Sequence, residues 1–199
     1  SKTFLMGLLL VPVLKSADLE KPDVRLVVTR PASAPGPLDN PLKGYCLYTN
    51  AGEIHRPYSM IFQYVSWKEL EPIEGRYAFE DWEKKKWSHP RANGKHVVLR
   101  IYVDYPSKSS GLPDWLRAKG VAEKDYQAHG GGKSPDYNHP QMVLALERLI
   151  AAMGKRYNTH PRVAFIQLGL LGFWGEWHTY PREELFASEA PQHRVLRAY

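Results

Sequence analysis

Cysteine is nearly absent from this chain. Cys46 is the only one among 199 residues, which excludes an internal disulfide and any metal site built from a cysteine cluster. Its position in a short apolar stretch makes it a small core residue. No glycine-rich phosphate loop leads into a helix, so nucleotide binding has no support. Glu176 and His178 stand two residues apart with no third ligand beside them, so a zinc site has none either, and no cofactor is expected. The apolar run over residues 4–14 is eleven residues long, too short to cross a bilayer as a helix. Charge of one sign is not concentrated. The formal net charge is +6, but the densest basic run, Lys84-Lys85-Lys86, lies beside Glu80, Asp81 and Glu83. That pattern is a solvated helix face, and no nucleic-acid module accompanies it. No internal repeat is visible.

What the chain does contain is enough apolar material for one domain: 43% of its residues are hydrophobic. Lys2, the apolar run and Ser16-Ala17 as a candidate processing point resemble an export signal over residues 1–17, imperfect because Pro12 interrupts the run and Lys15 stands where a small residue is preferred. A secreted or periplasmic location is the corresponding expectation. Residues 18–40 carry Pro22, Pro31, Pro35 and Pro37 and read as a proline-rich segment with one strand, over residues 24–29. From Pro41 onward strands and helices alternate. Strands are predicted over residues 44–48, 60–65, 97–103 and 163–168. Helices are predicted over residues 79–87, 140–157 and from 191 onward. The clearest helix is 140–157, with Met142, Leu146, Leu149, Ile150, Met153 and Tyr157 on one face and Pro140 in its first turn. Residues 104–139 form a long connection in which Gly130-Gly131-Gly132 is a flexible or ligand-approaching segment. Alternating βα units predict an α/β fold with a parallel sheet and right-handed crossovers.

In such folds ligands meet the carboxyl ends of the strands. The richest of those ends is Gly169-Leu170-Leu171-Gly172-Phe173-Trp174-Gly175-Glu176-Trp177-His178. Its three glycines predict unusual dihedrals or a ligand close to the main chain. Its aromatics would leave considerable apolar area in water unless they met a ligand or capped the core. A carboxyl held between two indoles is partly desolvated, which favours its protonated form and suits it to proton donation. Flat apolar walls around a proton donor are what cleavage of a sugar requires.

Two further segments carry a resemblance. Ser66-Trp67-Lys68-Glu69-Leu70-Glu71-Pro72-Ile73-Glu74-Gly75-Arg76-Tyr77-Ala78-Phe79 is similar to the segment after the second strand of β-galactosidase-type, clan-A glycoside hydrolases. Residues 97–103 followed by Leu112-Pro113-Asp114-Trp115-Leu116 resemble the third strand and Pro-x-Trp-Leu of the same group. The stretch from Asn40-Pro41-Leu42-Lys43-Gly44-Tyr45 to His178 resembles an uncharacterised barrel family with an Asn-Pro-x-x-Gly-aromatic start and a Gly-x-Trp-Gly-Glu-Trp-His loop. The resemblance covers about 140 residues and implies a TIM-type (β/α)₈ barrel acting on carbohydrate. Two departures qualify it. Clan-A enzymes carry an Asn-Glu pair at the end of strand four, where this chain has Leu170-Leu171. A closed barrel needs eight βα units and about 250 residues, whereas residues 41–199 hold four, an N-terminal half barrel without the strand-seven nucleophile.

The expected catalytic residue is Glu176, as general acid. The expected substrate contacts are Trp174, Trp177, His178, Asp104, Trp67, Trp115 and Tyr45. Trp67 and Trp115 either floor a sugar site or pack helix against sheet. Arg100 either orients a carboxylate from inside the barrel or is a paired structural residue. Glu71 and Glu74 belong to a turn. His178 hydrogen-bonds within its loop. The expected partner is an oligosaccharide or glycoside, with the missing barrel half or a second copy covering the open sheet. The function so read is hydrolysis of O-glycosidic bonds. The alternatives are a non-catalytic carbohydrate-binding barrel and a truncated inactive fragment.

Overall fold

Four strands, β1 (Tyr45–Tyr48), β2 (Tyr58–Ser66), β3 (His96–Tyr102) and β6 (Val163–Ile166), pair in parallel in the order β1-β2-β3-β6. They come from a computed structural model that describes residues 27–32 and 41–199. The chain divides into two units, Ser1–Pro35 and Gly36–Tyr199. In the first, residues 27–32 lack regular structure, with Val27 and Val28 exposed. The strand expected over residues 24–29 is therefore not formed across 27–29. A β-prone run stays irregular when no neighbouring strand takes up its backbone groups. Residues 24–26 and the export-like segment lie outside the described residues.

The second unit is an α/β fold whose sheet follows from strict alternation. On β2 and β3, Ile61, Val65, Val97, Leu99 and Ile101 point to one face and are buried. Phe62, Tyr64, Arg100 and Tyr102 take the other. The aliphatic face is covered by α2 (Phe79–Trp87) and α4 (Pro140–Tyr157), which contribute Trp82, Trp87, Leu146, Leu149, Ile150 and Met153 to one core. Both helices have the boundaries that their patterns predict. His139 caps α4 by accepting from the Gln141 N–H, and Pro140 occupies the first turn. Each fully buried aliphatic side chain here contributes about 1.5–3 kcal/mol. A fifth helix, α5 (Glu189–Ala198), packs against α4.

Strand ends differ slightly from expectation. β3 closes at Tyr102 and β6 at Ile166, yet pairing continues through single bonds, Gln167 N–H to Leu99 O at 2.9 Å and Leu170 N–H to Ile101 O at 2.8 Å. The connection over residues 104–139 is more structured than expected. It holds α3 (Asp114–Ala118) and an antiparallel hairpin, β4 (Glu123–Tyr126) with β5 (Gly132–Pro135). The glycine run makes that hairpin's turn. Gly130 and Gly131 have φ of +93° and +82°, and a Cβ on Gly132 would lie 2.4 Å from the Tyr126 hydroxyl oxygen. Polar strands of four residues escape a hydrophobic-period reading.

The Ser66–Phe79 motif is a turn anchored by its buried residues Trp67, Leu70, Glu71 and Phe79, with residues 72–76 exposed. α1 (Trp67–Leu70) starts where the Ser66 hydroxyl accepts the Glu69 N–H. Glu71 then accepts from the Trp67 indole at 2.7 Å and from the Gly75 N–H at 2.8 Å. Burial pushes the Glu71 carboxyl above its usual range, opposed by those two donors.

Candidate active site on the open sheet face

The open face of the sheet gathers one polar cluster at the carboxyl ends of its strands. Register sets Tyr64 opposite Arg100, with Phe62 opposite Val98 one layer below and Ser66 opposite Tyr102 one layer above. Arg100 donates from Nε to Gln167 Oε1 at 2.6 Å and from Nη1 to the Tyr64 hydroxyl at 2.8 Å. Its Nη1 also pairs with Glu176 Oε1, which in turn accepts from the Tyr64 hydroxyl at 3.3 Å. Burial, together with Glu176, pushes the Tyr64 hydroxyl above the usual phenol range, so Tyr64 acts here as a donor. Arg100 thus takes the first of its two expected roles and orients a carboxylate. One oxygen of Glu176 is held; among the described residues Oε2 has no hydrogen-bond partner, its neighbour being His178 Nε2 at 3.9 Å.

Aromatic rings border this carboxylate. Tyr48 stacks on Tyr64 with ring centres 6.3 Å apart. Tyr105 stands edge-on to Tyr64 at 5.6 Å and to Tyr102 at 4.9 Å. Trp174 continues the series, 6.4 Å from Tyr105 and 6.0 Å from His178. The rings are partly exposed, which suits stacking against the apolar face of a pyranose.

The loop that brings Glu176 here is tightly wound. Leu170, Gly172, Trp174, Gly175 and Trp177 all have positive φ, between +55° and +75°. For the three non-glycine residues this is a sparsely populated conformation, tolerated where surrounding contacts dictate it. The contacts are the bonds from Leu170 N–H to Ile101 O, Trp174 N–H to Asp104 O and Trp177 N–H to Leu171 O. Gly169 and Gly175 are dictated by close approach, since a Cβ on either would meet the Ile101 carbonyl oxygen at 2.4 or 2.8 Å.

The other expected contacts are distributed unequally. Trp174 and His178 join the cluster, and His178 accepts the Tyr180 N–H at 3.3 Å within its own loop. Trp177 turns toward the helix-side core and donates to Gly169 O at 3.1 Å, so Glu176 is not held between two indoles but by a guanidinium and a phenol. Asp104 lies at the site but is fully buried and touches no solvent. It accepts from the Tyr126 hydroxyl, its Oδ2 and the Ser134 hydroxyl both lack a well-formed partner, and burial raises its pKa to about 6 despite the Tyr126 and Ser134 hydroxyls. Trp67 is fully buried against Trp115, whose indole donates to Glu71 O; both pack helix against sheet. Tyr45 begins β1 at the end remote from the site, bonded to Arg56. Tyr48 holds the position at the strand's carboxyl end. The sequence reading missed Tyr64 and Gln167, and at the end of β1 it chose Tyr45 over Tyr48. Period-two alternation would have put Tyr64 on one face with Phe62, but the register against Arg100 is not a local property.

Residues 56–169 match the glycoside hydrolase 42 family, described as beta-galactosidase, and span more than half of the 199 residues. The chain belongs to this family. The matched segment ends at Gly169, so the Glu176 loop follows it. No curated protein matches the chain in sequence. Among solved structures, the GH5_18 protein of Bifidobacterium longum subsp. infantis is 15% identical, with a TM-score of 0.45, over 70% of this chain and 31% of that one. The cold-adapted beta-galactosidase of Rahnella sp. R3 is 24% identical, with a TM-score of 0.37, over 58% of this chain and 16% of that one. The chain thus spans less than a third of the length of either.

Proposed function

We propose that this beta-galactosidase-family chain acts on carbohydrate, cleaving O-glycosidic bonds with Glu176 as general acid, and that residues 41–199 supply the first four βα units of the barrel. The observation that carries the reading is the disposition of Glu176. It stands at the carboxyl ends of parallel strands, with Oε1 anchored by Arg100 and Tyr64 and Oε2 3.9 Å from His178 Nε2, whose ring adjoins Trp174. A sugar stacked on Tyr105 or Trp174 brings its glycosidic oxygen to Oε2. Glu176, ion-paired with Arg100 at Oε1, first takes up a proton from solvent at Oε2; that proton passes to the glycosidic oxygen as the bond to the anomeric carbon breaks, and the leaving alcohol departs neutral. Water completes hydrolysis with a second carboxylate, about 5–5.5 Å from Glu176 for retention or about 6.5–9.5 Å for inversion. Asp104 does not serve, because it is fully buried.

Glu176→Gln keeps the Arg100 contact but has no proton to give. In the full-length protein it should lower turnover of an alkyl β-galactoside by about 10²–10⁴-fold, while a dinitrophenyl galactoside, whose leaving group needs no proton, loses far less. Equal rates for variant and parent on the alkyl substrate overturn the assignment. A second reading, sugar binding without turnover, is favoured by Leu170-Leu171 standing where the clan carries Asn-Glu. It predicts saturable sugar binding with no turnover in the parent.

A further inference from the structure

A second recess opens beside the aromatic border, a groove of about 640 Å³ between residues 107–110 and the β4–β5 hairpin. It is preformed. The Ser107 N–H donates to Gly131 O at 2.7 Å, and the two loops approach so closely that a Cβ on Gly130 would lie 3.3 Å from the Ser107 Cβ. Its lining is polar, with Ser107, Ser109 and Gln127 offering hydroxyl and amide groups.

The cations of the groove are not equivalent. Lys68 pairs with Asp114 at 2.8 Å, Arg117 with Glu123 at 2.6 Å and Lys133 with Asp125 at 2.7 Å. Lys108 has no carboxylate within ion-pair distance among the described residues. Its ammonium lies 3.7 Å from the centre of the Tyr105 ring and 5.7 Å from that of Tyr102. Tyr105 in turn adjoins Tyr64, whose hydroxyl bonds Glu176. Two rings, Tyr105 and Tyr64, therefore separate an uncompensated cation from the candidate catalytic carboxylate. A neutral sugar leaves that cation on the ring face. A carboxylate or sulfate ester on the neighbouring sugar gains a charge-assisted bond at small cost in desolvation, because Lys108 is exposed.

We propose that this groove is a subsite for an acidic sugar, one bearing a carboxylate or sulfate group, with Lys108 as the residue that selects it. The inference rests on the carbohydrate reading of the Glu176 site and adds the substrate's charge to it. The test is calorimetric binding of three trisaccharides to the full-length protein: neutral galactotriose, trigalacturonate and a sulfated galactotriose. At low salt the parent should bind at least one acidic trisaccharide about tenfold more tightly than the neutral one, and the ratio should shrink at high salt. Whichever acidic ligand wins identifies the group. Lys108→Gln should bring the ratio close to one and Lys108→Glu should invert it, while Lys84→Gln, the same charge change on the exposed side of α2, should leave it intact. Equal binding of all three ligands by the parent, or a Lys108→Gln loss shared equally by neutral and acidic ligands, overturns the subsite and leaves the Glu176 reading standing. Failure of every trisaccharide to bind overturns both.

Discussion

The two faces of the parallel sheet are made from the same strands and do opposite work. On β3, Leu99 and Ile101 are fully buried under the helices, while Arg100 between them reaches Gln167, Tyr64 and Glu176 on the open face. The helix-covered face is aliphatic, closed and continuous with the main core. The open face is aromatic and polar, and several of its rings remain half-exposed. The buried aliphatic packing lies on the first face and the candidate site on the second, and a single residue step along a strand separates them.

The strongest way to break this division is to exchange like for like. Trp82 is 2% exposed in the helix-side core, and Trp82→Ala should cost about 3–5 kcal/mol in urea unfolding. Trp174→Ala, on the open side, should cost less than half of that and instead weaken sugar binding. Similar stability losses at the two tryptophans would dissolve the distinction.

Asp104 sits where the two regions meet, and its effect is of intermediate size. Its carboxyl titrates near 3.8 when unfolded and at about 6 in the fold. Below the lower value it is protonated in both states and costs nothing. As pH rises through the upper value the fold must hold a buried charge, which removes about 3 kcal/mol of stability between pH 4 and pH 7. Asp104→Asn abolishes that loss, so its unfolding temperature should gain on the parent's as pH rises across this window. A constant difference between the two proteins would show that Asp104 is not buried as a titrating group.

The smallest effect sharpens the comparison from the open side. Tyr64→Phe removes the hydroxyl shared by Arg100 and Glu176. Unfolding stability should change by less than about 1 kcal/mol, because the ring remains and the lost bond is partly solvated. The kcat/KM for an alkyl glycoside should fall about tenfold if the hydroxyl steadies Glu176. A stability loss without a kinetic one would assign Tyr64 to the scaffold.

Helix α4 was legible in its bounds because its apolar face and its first-turn proline are local signals; its capping histidine emerged only in the structure. The strand sequences announced a parallel sheet in the same way, and the unusual dihedrals expected of the loop glycines are present at Gly172 and Gly175, whereas the space at Gly169 is taken by the Ile101 carbonyl and not by a ligand. The loop's aromatic residues announced a site, but not which way they would turn: Trp174 faces it, and Trp177 faces the core. Of the two roles open to Trp67 and Trp115, the structure gives both the packing one, and Glu71 belongs to the turn expected for it. The hairpin of residues 123–135 gave no apolar period to read.

The sequence by itself therefore determined the four sheet strands, the two long helices over the sheet, the parallel character of the sheet and the segment that carries the candidate acid, since each depends on periodicity and on residues adjacent in the chain. Only the tertiary structure decided the partners of that acid. Tyr64, Arg100, Gln167 and Glu176 come from separate segments up to 112 positions apart. Strand register and five left-handed loop residues bring them together, and register is set by how the helix-covered face packs, which no local pattern contains.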